Sequence, residues 1–420
     1  MSDPSAGLVL FRDLPDQHDF WRACGIRTIQ LFDTSFLRTG EGMTKYLAEL
    51  ARAVERLQRS GFEVQLLLAS NLKQWKGPEP MLFANPAKQR FSLKDEELIK
   101  ERLKNICRVV QAVPADGHVL LAGEDGGGMP LLTQESQGRR WVAFAKLVRN
   151  AIQHYAPGKP FSLNFWCASQ QEHNFSAHTS MFWEVETVYT RLMLAQPHLL
   201  DGPTGVQLPC HDLYRPLALH HYAKAGITPE GFPTVKEVEE LESKGSEVTA
   251  WCRYLLDQVD DGTYGDEPLN LYAQNNTLCI HRLVQQLAAR GIRRAAGDCT
   301  FHGRLSRAIN VYAFGTFMQD PSLPPAYALD SYAALNATAD TALHLRRVLE
   351  YLECHGVFAS YLPEDLRPRL EDAPSCAAQA LEELERVRPA CAGTFPLPQP
   401  PEHWLFALRQ TLEAFALSGK

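Results

Sequence analysis

Residues 117–128 read GHVLLAGEDGGG. An apolar run of strand length ends in two adjacent carboxylates, Glu124 and Asp125, and three glycines follow. A short apolar run bounded by turn residues fits a strand buried on both faces, as parallel strands are. Whether two acids at its tip carry chemistry depends on whether the strand stands alone or belongs to a set.

It belongs to a set. Similar runs are GLVLFRD (7–13), IRTIQLFD (26–33), FEVQLLLAS (62–70), PFSLNFWC (160–167), GVQLPCHD (205–212), PLNLYAQNN (268–276) and IRRAAGDCT (292–300). With GHVLLAGED (117–125) they number eight. Stretches with helical spacing of apolar residues separate them: 43–61, 93–113, 139–155, 181–195, 277–291 and 305–318. Gly61 stops the first of these just before a strand. Alternating strands and helices imply parallel strands joined by right-handed crossovers, and eight such units favour a closed (β/α)8 TIM barrel over an open sheet. No G-x-G-x-x-G or G-x-x-x-x-G-K-[ST] follows the first strand, and GEDGGG carries two acids that repel phosphate. The segment 245–268 reads as a helical excursion before strand seven. Residues 1–325 are expected to form the barrel, and 326–420 a C-terminal helical appendage.

The bulk composition agrees with a globular protein. The chain has 420 residues, 45% hydrophobic and 22% charged, with a net charge of -7. The absence of a basic field disfavours nucleic acid. No apolar run is long enough to span a bilayer, and the N-terminus lacks the pattern of a signal peptide. The ten cysteines include no C-x-x-C pair. A reduced, cytoplasmic protein without membrane attachment is the expectation; the sequence leaves the oligomeric state open.

Functional groups of TIM barrels gather at the C-terminal ends of the strands. Those ends supply Asp13, Asp33, Ser70 and Asn71, Glu124 and Asp125, Asn164 and Trp166, His211 and Asp212, Gln274 to Asn276, and Asp298, Thr300 and His302. Any one of them could be a helix cap. Acids, histidines and carboxamides at all eight ends suit ligand binding better. Trp166 offers an apolar wall for a sugar ring, and Trp75 and Phe83 in the long loop 71–91 offer further platforms.

A carboxylate pair at the end of strand four, with aromatic and carboxamide neighbours, resembles the glycoside hydrolase (β/α)8 superfamily. Within it, the arrangement is similar to the hexosaminidase-like, O-GlcNAcase-like and hyaluronidase-like branches. The resemblance implies that Glu124 orients an acetamido group and that Asp125 is the general acid and base. It further implies that Asp33, Asn71, Asn164, Trp166, His211, Asp212, Asn275, Asn276, Asp298 and His302 bind a carbohydrate substrate, with no cofactor and no metal. This chain departs from those branches in having Glu-Asp where they usually have Asp-Glu or Asp-Asp. It also departs from conventional retaining enzymes, whose strand-seven glutamate is replaced here by Gln274-Asn275-Asn276. The substrate's acetamido group as nucleophile, an inverting mechanism using Asp33, Asp212 or Asp298, or binding without hydrolysis would each accommodate that gap.

Two other classes compete. A metal-dependent barrel could draw ligands from His211, Asp212, Glu124, Asp33, Asp298 and His302, although no H-x-H or H-E-x-x-H spacing occurs. A cysteine nucleophile would need a base beside it, and Cys210–His211 are strand neighbours whose side chains point apart.

Overall fold

The computed structural model describes residues 4–10, 13–69, 95–121, 134–164, 200, 202–209, 234–252, 275–298, 308–355, 373–390, 395–396 and 401–418. Eight parallel strands close in sequence order: β1 (Ser5–Leu10), β2 (Ile26–Phe32), β3 (Glu63–Ala69), β4 (Gly117–Leu121), β5 (Phe161–Asn164), β6 (Gly205–Pro209), β7 (Val248–Cys252) and β8 (Arg294–Asp298). Extending the paired registers around all eight strands gives an offset of eight residues on closure. This shear of eight is that of a TIM barrel.

The same register sorts side chains onto two faces. Leu8, Leu10, Ile29, Leu31, Leu66, Leu68, Leu120, Leu163 and Val206 join the large core between strands and helices. Val9, Phe32, Leu67, Val119, Leu121, Trp251 and Ala296 sit on the alternate positions and form a separate cluster, the filling of the barrel interior.

The outer ring contains α1 (His18–Ala23), α2 (Gly40–Arg59), α3 (Glu96–Ala112), α4 (Gln134–Tyr155), α5 (Val235–Ser243), α6 (Thr277–Ala288) and α7 (Ala308–Gln319). Asp95 caps α3 by accepting from Leu98 N, and Thr234 with Glu237 forms a reciprocal capping box on α5. Four further helices follow: α8 (Tyr327–Asn336), α9 (Ala342–His355), α10 (Ala373–Glu385) and α11 (Pro401–Ser418). Ten of the twelve residues of α7 are buried, so this helix has an apolar surface on every side. Leu329, Tyr332, Leu345, Leu349, Leu352, Trp404 and Leu412 of the later helices belong to the same core as Phe314 and Phe317 of α7. Gly315 lets α7 approach the turn between α1 and β2 closely, because a Cβ on it would lie 1.8 Å from the Cys24 carbonyl oxygen.

Two expectations need correction. Strand seven is Val248–Cys252, inside the segment expected to be a helical excursion. Its five residues are buried, and Val248, Trp251 and Leu255 also fall at helical spacing, which hid a short strand. Asn275 and Asn276, expected to end strand seven, lie instead at the entry to α6, with Asn276 as its N-cap. Asp13 also does not end β1, which stops at Leu10. The expected helix 181–195 lies outside the described residues.

Candidate active site at the C-terminal mouth of the barrel

The upper half of the lumen is built by the last inward positions of the strands. Register and alternation place Phe32, Ala69, Leu121, Asn164, Gln207 and Trp251 there, with the Asp298 backbone ending β8. Asn164 is fully buried and its Nδ2 donates to Gln207 Oε1 at 3.0 Å. Trp251 is 3% exposed and belongs to the same interior cluster as Leu67, Val119 and Leu121. Below them a second carboxamide chain crosses the interior. Gln30 Nε2 donates to Gln65 Oε1 at 3.0 Å, and Gln65 Nε2 donates to Glu63 Oε1 at 2.8 Å.

Charge collects at the opposite rim. Arg294 Nη1 pairs with Glu247 Oε2 at 2.9 Å, and burial holds the Glu247 carboxyl above the usual range despite that partner. The described inward side chains of the upper half are neutral, able to hydrogen-bond or to stack. Such a floor suits an uncharged polyhydroxylated ligand and raises the cost of ionising any acid brought against it.

The expected site residues divide into three groups. Asn164 lies in the lumen as expected. Asp33, Asn275 and Asn276 are engaged in structural contacts. Asp33 is fully buried, accepts from Ser35 N and Ser35 Oγ at 2.8 Å each, and faces Arg102 Nη2 at 3.5 Å. Tyr46 of α2 donates to the same carboxylate at 3.4 Å. Arg102 of α3 in turn donates through Nε (2.9 Å) and Nη2 (2.6 Å) to the Ala69 carbonyl that ends β3. Asp33 thus faces the helix layer, one position beyond the inward Phe32, and locks β2 and β3 to α2 and α3. Asn275 Nδ2 donates to the Leu349 carbonyl of α9 at 2.8 Å, while Asn276 N donates to Asn310 Oδ1 of α7 at 2.8 Å. Both fasten the start of α6.

The third group, Asn71, Glu124, Asp125, Trp166, His211, Asp212 and His302, together with the Asp298 side chain, lies outside the described residues. Trp75 and Phe83 do as well. Sequence reading missed Gln207 and Trp251. Gln207 was legible as an alternate position of GVQLP, whereas Trp251 was hidden by the misplaced seventh strand. Among the described residues no group of three or more His, Cys, Asp or Glu is placed to hold a metal ion. No helix among them is long and apolar enough to cross a membrane.

No family model matches the chain, and no curated protein matches it. Solved structures do. A GH138 enzyme targeting pectin rhamnogalacturonan II superposes with a TM-score of 0.56 at 10% identity, over 99% of this chain and 57% of the other. CpGH84B gives 0.49 at 10% identity, over 99% and 69%. The PgaB (BpsB) glycoside hydrolase domain from Bordetella bronchiseptica gives 0.42 at 10% identity, over 76% and 99%. The GH138 superposition agrees with the (β/α)8 barrel that the strand pairing defines. The chain spans little more than half the length of the GH138 enzyme.

Proposed function

We propose that the protein is a glycoside hydrolase that binds carbohydrate in the C-terminal mouth of the barrel. The observation that carries this reading is the neutral upper lumen, where the Asn164–Gln207 carboxamide pair and the Trp251 indole lie beside the strand that leads into Glu124-Asp125. Indole and carboxamide together match a sugar ring, which presents apolar C–H faces and hydroxyl edges. The fold shared with a GH138 enzyme raises the expectation by analogy.

In this reading one strand-four acid holds a proton near neutral pH, as an acid brought against apolar groups such as Val119, Leu121 and Trp251 would. That acid protonates the glycosidic oxygen as the bond breaks. The resemblance noted above gives this role to Asp125, and to Glu124 the orientation of an acetamido group. Asn71, Asn164, Trp166, His211, Asp212, Asp298 and His302 remain proposed substrate contacts; Asp33, Asn275 and Asn276 do not.

The corrected strand order changes the argument about the second acid. The connection after the true β7 contains Asp257, Asp260, Asp261, Asp266 and Glu267, so the lack of a carboxylate at Gln274–Asn276 no longer counts against a two-carboxylate mechanism. Screening aryl glycosides, N-acetylhexosaminides included, with and without chelator tests the reading. Release of an aryl group from one sugar class, indifferent to chelator, supports it. Turnover that requires added divalent metal would favour the metal-dependent barrel.

A further inference from the structure

Beside the turn that leads from α2 into β3, two side chains from separate segments hydrogen-bond one imidazole. His18, which opens α1, brings Nε2 to 2.6 Å from Asp13 Oδ1 and Nδ1 to 2.8 Å from Ser60 Oγ. Asp13 lies in the loop after β1, and Ser60 is the C-cap of α2, three residues before β3. The ring is held between Trp21 and Phe62, each at a centroid distance of 5.7 Å. Arg56 donates to the other oxygen of Asp13, through Nε at 2.9 Å and Nη2 at 2.8 Å.

The hydrogen-bond directions follow from the chemistry. An ionised Asp13 can only accept, so Nε2 carries the proton; in the neutral ring Nδ1 is then an acceptor, and Ser60 must donate its hydroxyl hydrogen to it. A hydroxyl bonded to a base that a buried carboxylate orients is the general signature of an activated nucleophile. Ser60 is only half-buried, whereas the Asp13 and His18 side chains are 2% and 8% exposed.

We propose that Ser60 is an activated hydroxyl that accepts an acyl or phosphonyl group from an activated donor and retains it. In acylation the Ser60 Oγ–carbon bond forms and the bond from that carbon to the leaving oxygen breaks. The Ser60 proton passes to His18 Nδ1 and then to the departing oxygen. The array must form and break an acyl bond without oxyanion stabilisation, because the neighbouring backbone donors are already committed, so a donor with a good leaving group reacts and the resulting ester is retained. Ser60 N bonds the Arg56 carbonyl at 3.0 Å, Gly61 N that of Gln58 at 2.9 Å and Phe62 N that of Leu57 at 3.1 Å. None is available to hold an oxyanion, the contribution that most favours acyl transfer in serine hydrolases. The expected behaviour is stoichiometric modification. It is independent of the carbohydrate reading, since no residue of the array is among the proposed sugar contacts or catalytic acids.

The test is labelling of the full-length chain with an alkyl fluorophosphonate, where the phosphorus–oxygen bond forms as fluoride leaves with the proton. Peptide mass spectrometry locates the adduct. Ser243 is the internal comparator, an exposed serine whose hydroxyl donates to the Glu240 carbonyl. The expected result is one adduct on Ser60, formed roughly 100-fold faster than on Ser243. It should be lost in Ser60→Ala and similarly slowed in a folded His18→Asn. Labelling of Ser60 no faster than Ser243 in the wild type, or unchanged labelling in folded His18→Asn, overturns the proposal. The wild-type comparison decides even if the His18 variant does not fold.

Discussion

Glu353 of α9 caps the N-terminus of α6 from across the molecule: its carboxylate accepts from Thr277 N, Thr277 Oγ1 and Leu278 N, each at 2.9 Å. A helix entry normally satisfies such donors with a side chain from its own N-cap. Asn276, the local N-cap, makes no such bond, and the acid is supplied by the C-terminal helices instead. Burial pushes the Glu353 carboxyl above its usual range, while these donors and the positive end of α6 favour its charged form. Glu353→Ala leaves buried donors unpaired and should cost about 3 kcal/mol, with Glu353→Gln milder because an acceptor remains. Urea unfolding of both variants checks the order.

That clamp, with the burial of α7, bears on the boundary expected near residue 325. An appendage could be removed without harm. A segment that covers the outer face of α7 and caps α6 could not. A chain ending at Pro325 should expose Tyr312, Phe314 and Phe317 and be recovered unfolded or aggregated; circular dichroism and gel filtration report the outcome.

Arg102 and Asp33 form a buried pair in which each partner compensates for the burial of the other. Arg102→Met leaves the carboxylate unpaired and frees the Ala69 carbonyl, so it should cost about 3–5 kcal/mol. The double variant Arg102→Met with Asp33→Asn should lose less than the two single losses combined, because no buried charge is stranded. Chemical denaturation of the four proteins completes the cycle.

His118 points from β4 into the helix layer, 2% exposed, and burial with the nearby Lys159 pushes its pKa down to about 4. The unfolded chain takes up a proton near pH 6.5, before the folded one does. Below pH 6.5 protonation therefore favours unfolding, and stability falls until the folded imidazole titrates near 4. This single site should remove about 2 kcal/mol between pH 7 and pH 5, and His118→Leu should flatten that part of the profile.

The barrel was legible because seven of eight strands announce themselves as apolar runs bounded by turns or helix stops. The eighth shows where the signal fails. VTAWC is five residues long, too short for a period of two to be told from helical spacing, whereas PLNLYAQNN nearby alternates more clearly. The site was less legible for a related reason. Polar residues at strand ends look alike in sequence whether they face the lumen, as Asn164 does, or the helices, as Asp33 does. One residue of register separates the two, and only the pairing around the closed barrel fixes it.

The proposed catalysis of glycoside cleavage by the strand-four acids is tested most directly by kcat for Glu124→Gln and Asp125→Asn on whichever aryl glycoside the wild type cleaves. Losing a general acid should lower kcat by roughly 100-fold or more, with the unfolding midpoint unchanged and at least one variant still binding the sugar. If both folded variants turn the substrate over at the wild-type rate, the catalytic group lies elsewhere and the assignment of Glu124 and Asp125 is wrong.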